Sequence, residues 1–215
     1  FGGPLLATAG QHWIAAHTYV GSMLGIGVLQ TIAILLLFGL EEPNAVAEVF
    51  LPASERSLRT IVLQPAFLVA MLASVVGYGV MNLVMTATPL SMHVHDGLSL
   101  PETAGVIRSH VLAMYVPSFF SGALIARIGA NRVLVLGVFA LLAALLFGLQ
   151  GHQVMHYWWT LVLIGIGWNF LFVGGTALLI GSYRPVERFK AQAVNEFSVF
   201  GVSAAGSLLA GTLIH

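Results

Sequence analysis

Tyr78, Asn82 and Thr86 recur every fourth residue inside the otherwise apolar run "SVVGYGVMNLVMTATPL", with Pro89 continuing the series. That spacing places a phenol, an amide and a hydroxyl on one face of a helix. The pattern returns three times: His110, Met114, Pro117, Ser118 and Ser121; Gly165, Asn169 and Thr176 with Trp168 alongside; and Glu196, Phe200, Ser203 and Ser207. Such groups donate and accept hydrogen bonds and stack. Together they can line a cavity for a small, mostly apolar solute. The same side chains also join packed membrane helices to one another, which is the commoner role for a single serine. Trp168 and Asn169, adjacent and central in their run, are the pair for which the solute role weighs most.

Chemistry beyond recognition finds no support. The sequence holds no His-Glu-x-x-His, no Gly-x-Ser-x-Gly and no nucleotide-binding loop, and Asp96 is its only aspartate. Cysteine is absent, which excludes disulfides and thiolate metal sites. No catalytic residue, metal or cofactor is therefore expected.

These faces need elements to carry them. Of the 215 residues 58% are hydrophobic and 7% charged, with a mean hydropathy of +0.94. Soluble domains carry about 25% charged residues, so this chain is read as an integral membrane protein. The formal net charge of zero suggests no nucleic-acid partner. Uncharged runs cover 17–40, 60–92, 109–126, 133–151, 157–183 and 197–215, each near the roughly 20 residues that cross a bilayer core. They lack period-2 alternation, which favours helices over a barrel. Residues 1–12 read as the last turns of an earlier span, and both ends look cut from a longer chain.

The cations sort the connections. Arg56 and Arg59, Arg127 and Arg132, and Arg184, Arg188 and Lys190 fall in alternate loops, which makes those loops cytoplasmic; Arg108 alone lies opposite. All eight histidines fall on the outer side, either replacing Lys and Arg there or sensing external pH. Runs 17–40 and 133–149 are the oiliest and should face lipid, whereas the other four carry polar groups that should line something. Glycines in "SVVGYGV" and "GIGWNFLFVGG", together with Pro117, weaken the helix locally or allow close packing.

"GALIARIGANRVLVLG" resembles the cytoplasmic-loop motif of the major facilitator superfamily, Gly-x-x-x-Asp-Arg-x-Gly-x-Arg/Lys-Arg. Gly122, Arg127, Gly129 and Arg132 match, and Ala126 stands where the family has Asp. "FGGPLLA" resembles the Gly-Pro end of the fifth-helix motif, and "SYRPVERFKAQAVNEF" the basic loop entering helix 11. The resemblance implies an all-α polytopic bundle, mainly an incomplete C-terminal six-helix half. It divides the chain into the end of TM5 (1–12), TM6 (16–40), a cytoplasmic linker (41–59) and the C-terminal half (60–215). That half would hold TM7 (60–92), TM8 (104–126), TM9 (132–151), TM10 (156–183) and TM11 (191–214).

The resemblance further implies a proton-coupled secondary transporter of a bacterial inner membrane, moving a small neutral or amphipathic solute by alternating access. It would act as a monomer, with the bilayer, solute and protons as partners. A non-transporting receptor or scaffold of the same fold is the alternative. The lining residues would be Tyr78, Asn82, Thr86, His110, Met114, Ser118, Trp168, Asn169, Thr176, Phe200 and Ser203. Gly122, Arg127, Gly129, Arg132, Glu187 and Arg188 would form the cytoplasmic gate. With Ala126 unable to supply a carboxylate, the candidate acids are Glu187 and Glu196, and Glu187 is the one expected to latch Arg127 or Arg132 in one transport state; otherwise these arginines only anchor topology. Glu196 is the acid placed for proton coupling, with His110 as the outer-side alternative.

Overall fold

The computed structural model describes residues 20–39 and 56–213, with side chains to residue 209. The expected end of TM5 and nearly all of the 41–59 linker lie outside the described residues. Residues 1–54 and 55–215 form two compact units. In the first, α1 (Val20–Phe38) spans 19 residues, about 28 Å at 1.5 Å per residue. Its surface is almost wholly apolar, with Met23, Leu24 and Leu36 exposed.

The second unit begins with a short helix, α2 (Leu58–Val62), capped by the Ser57 hydroxyl. Pro65 then opens α3 (Pro65–Leu90), where its missing N–H costs nothing. A π turn, Ser91–His95, ends this helix, with the Asp96 N–H donating to the Ser91 carbonyl. The next helix, α4 (Leu100–Tyr115), starts from a capping box between Ser99 and Glu102.

One helix was expected over 104–126. The structure places one membrane-length segment there, Leu100–Ile128, interrupted by a turn at Val116–Pro117 that separates α4 from α5 (Ser118–Ile128). Pro117 has no N–H and cannot continue the ladder. Gly129, at φ +87°, turns the chain sharply into α6 (Ala130–Gly148), in a conformation that a side chain would strain. The long helix α7 (Val154–Ser182) follows, then a 3-10 turn (Pro185–Glu187) and α8 (Arg188–Leu213).

Among the described residues every regular element is helical. Five segments are long and apolar enough to cross a membrane: Val20–Phe38, Pro65–His95, Leu100–Ile128, Ala130–Gly148 and Val154–Ser182. At 26 residues α8 has the length as well, but Arg188, Lys190, Gln192, Asn195 and Glu196 make its first turns polar.

The centre of the second unit is α7, packed by α3, α4 and α6. Glycines let it approach all three. A Cβ on Gly165 would lie 2.8 Å from the His110 carbonyl of α4, and one on Gly175 would lie 3.1 Å from the Ala70 carbonyl of α3. At the α6 crossing, Gly167 and Gly137 face each other, and a Cβ on either would meet the other's carbonyl at 3.0–3.1 Å. Close helix contact through small residues is how membrane helices gain packing that apolar burial cannot supply in lipid. The opposite face of α6 exposes Leu136, Phe139 and Leu146, an apolar surface of the kind lipid covers.

Candidate functional site

Trp168 and Phe172, one turn apart on α7, stack with centroids 5.1 Å apart at 8°. Tyr78 of α3 sits edge-on to both, at 5.3 and 5.8 Å. Phe200 of α8 and Tyr115 of α4 complete the group, each 6.5 Å from a neighbouring ring. Edge-to-face and offset pairs of this kind are worth about 0.5–1.5 kcal/mol each. Phe172, Phe200 and Tyr115 remain exposed, so the cluster presents aromatic faces rather than closing on itself. Buried Trp168 has an indole N–H without a partner among the described residues.

Tyr78 and Phe172 also form one wall of a cavity of about 180 Å³ among α3, α7 and α8. Its other wall is polar and includes Thr176, Gln192, Asn195 and Glu196. The structure thus brings together Tyr78, Trp168, Thr176, Glu196 and Phe200 from the expected set.

Other members of that set sit between helices. Asn169 is buried, and its amide donates to the Met114 carbonyl at 2.8 Å and to the Ser118 hydroxyl at 2.6 Å. Those are the groups loosened where Pro117 interrupts the helix, so Asn169 splints the break. Met114 is buried beside it, and Ser118 is exposed. His110 is buried too, with Nδ1 against the Leu161 carbonyl at 2.7 Å. The Thr86 hydroxyl donates back to the Asn82 carbonyl of its own helix at 2.7 Å. Ser203 is buried, its hydroxyl unpartnered among the described residues.

Glu187 does not meet Arg127 or Arg132. It bonds Arg56 instead: Nε to Oε1 at 2.8 Å and Nη2 to Oε2 at 2.6 Å, a bidentate pair. Backbone N–H groups of Arg56 and Arg184 donate to the same carboxylate at 3.1 and 2.9 Å. Glu187 is 0% exposed and Arg56 27%. These hydrogen bonds, that of the Arg56 guanidinium first, hold the Glu187 carboxyl down to about 2 against the opposing effect of burial. The same pairing raises the Arg56 pKa.

Arg56 also reaches Gln64 Oε1 and the Ser182 carbonyl, both at 3.3 Å, which ties the entry of α3 to the exit of α7. Arg127 and Arg132 are exposed, with no acidic partner among the described residues. Gly129 of the motif is required by its backbone, whereas a Cβ on Gly122 would meet nothing within 4 Å. Arg188 donates to Gln192 at 3.4 Å.

Several site residues escaped the sequence reading. Phe172 follows Trp168 by one turn and could have been found by that spacing. Arg56 was read only as a topology marker, because a partner 131 residues away leaves no local signal. Asn195 and Gln192 were hidden by the charged start of α8.

Over 99% of its length the chain is 38% identical to the riboflavin transporter RfnT of Brucella anthropi, and the match spans 54% of that protein. Over 63% of its length it is 36% and 34% identical to YddS and YdeG of Bacillus subtilis, both named uncharacterized MFS-type transporters. Those matches span 31% and 32% of the two proteins. The chain therefore covers about half the length of the first relative and less of the others. No protein-family model and no solved structure matches it. All three relatives are named transporters, which bears out the resemblance read from the loop motifs and points away from an enzyme.

Proposed function

We propose, from the premise that this chain is part of a major facilitator superfamily transporter, that it builds one wall of a solute pathway. The solute class is planar, aromatic and uncharged, and riboflavin, which one relative is named for transporting, is the candidate of first choice. The observation that carries this reading is the cluster of Tyr78, Trp168, Phe172 and Phe200 beside a half-polar cavity. Stacked and edge-on rings with exposed faces suit a flat conjugated solute better than a sugar phosphate or a dianion, for which fixed charges would be expected.

Glu196, exposed at the cavity wall, is the acid best placed to exchange a proton during transport. The end of the bundle carrying Arg56, Arg127 and Arg184 would face the cytoplasm of a bacterial inner membrane. The Arg56–Glu187 pair joins elements of one compact unit. Its role in this reading is a rivet holding α3 to α7, and a rocking motion against the remaining helices would leave it intact. Radiolabelled riboflavin uptake into vesicles by the complete transporter tests the proposal. Accumulation that Glu196→Gln uncouples from a pH gradient supports it, and absence of uptake contradicts it.

A further inference from the structure

We propose that the solute site has two layers: the aromatic one takes a flat ring, and a polar one, a helical turn away, binds the hydroxyls of a short side chain carried on that ring. This rests on the aromatic-solute reading above and adds to it the part of the solute that meets Glu196.

On three helices a polar residue stands four positions from an aromatic one: Ser74 and Tyr78 on α3, Thr176 and Phe172 on α7, Glu196 and Phe200 on α8. Residues at that spacing share a helix face and are displaced by roughly 6 Å along the axis. The polar member is in each case the nearer to the end where Arg56 ties the entry of α3 to the exit of α7. There α3 begins and α7 finishes. The next helix, α8, starts from the same end, since Arg188 directly follows Glu187, the acid paired with Arg56. The order along the chain therefore reverses in α7, while the order in space does not. Contacts agree with the spacing. Tyr78 meets Phe172 and Phe200 at 5.8 and 6.5 Å, which makes the aromatic layer. Ser74, Thr176 and Glu196 line the cavity of about 180 Å³, which makes the polar one.

Size and chemistry define what the polar layer takes. The cavity is slightly larger than the roughly 150 Å³ that holds benzene, which is room for a short substituent and not for a fused ring system. Thr176 and Glu196 are exposed, so a group entering it can reach them. Among the described residues the Glu196 carboxylate accepts one long hydrogen bond, from Asn195 at 3.4 Å. An ionised carboxylate only accepts, whereas a threonine hydroxyl both donates and accepts. Hydroxyls on the solute satisfy both groups and add no charge to it.

The test compares two probes by quenching of flavin fluorescence on the purified full-length transporter. One probe is riboflavin, and the other is the analogue with a methyl group in place of the hydroxylated side chain. Wild type should bind riboflavin about tenfold more tightly than the methyl analogue. Glu196→Gln keeps an acceptor without its charge and should narrow that preference to about threefold. Glu196→Ala should abolish it. Both variants should bind the methyl analogue as wild type does. If Glu196→Ala binds neither probe, Glu196→Gln decides: a narrowed preference supports the assignment, and an undiminished one overturns it. Binding of neither probe by Glu196→Gln also overturns it, because a residue that meets only the side chain cannot abolish binding of a ring that lacks one. Equal binding of both probes by wild type overturns the polar layer and leaves the aromatic site standing. Binding of neither by wild type overturns both.

Discussion

Glu187 and Asn169 show at the residue scale how a polar side chain is used where burial makes every unpaired group expensive. The Glu187 carboxyl sits at about 2 in the fold, against about 4.3 for a free glutamate. A carboxyl with a depressed folded-state pKa contributes stability that is complete above its unfolded value and is lost as pH falls through the folded one. Thermal unfolding of the purified protein should therefore show a loss of stability between about pH 4.3 and pH 2. Glu187→Gln should be less stable at pH 7 and lack that acid-side loss. A variant whose pH profile matches wild type would show that the pair contributes nothing. Asn169→Leu would leave the Met114 carbonyl without its donor, at a cost of about 1–2 kcal/mol. Ser118→Ala, which keeps the Asn169–Met114 bond, should cost less, and denaturant titration distinguishes the two.

At the scale of the element, the break between α4 and α5 and the glycines of α7 determine how the bundle packs. Pro117→Ala restores an N–H and lets the helix run through, so that the Ser118 N–H can satisfy the Met114 carbonyl. Asn169 then becomes dispensable: in a double-mutant cycle Pro117→Ala should recover part of the stability that Asn169→Leu removes. Simple additivity would refute the splint. Gly167→Val forces a branched side chain against the Gly137 carbonyl, and should cost about 1–3 kcal/mol or more and broaden size-exclusion profiles.

The helices themselves were legible in the sequence, because long uncharged runs have few other folds open to them in lipid. The close-packing role of "GIGWNFLFVGG" was legible as well. The role of Asn169 was not, since spacing places a residue on a face without saying whether that face meets a cavity or a neighbouring helix. The Arg56–Glu187 pair was not legible for a related reason: loop sequence carries charge but not the fold that closes over it.

For the whole molecule, two claims need the complete transporter. Alternate connections carry seven of the eight cations, and the proposed topology puts these at the cytoplasmic end. With no cysteine in this chain, a cysteine at Asn131 can be probed with a membrane-impermeant thiol reagent in a background where any other cysteines have been replaced. Labelling is expected only after the cytoplasmic face is opened, whereas labelling of intact cells would reverse the assigned orientation. The central claim, that Tyr78, Trp168 and Phe172 form the wall against which a flat solute moves, is tested most directly by riboflavin uptake into vesicles holding wild type or Trp168→Ala at equal protein levels. Wild type should accumulate riboflavin and Trp168→Ala should lose about tenfold or more of that rate, as expected when two or more aromatic contacts are removed. Equal uptake by the two proteins would contradict the account.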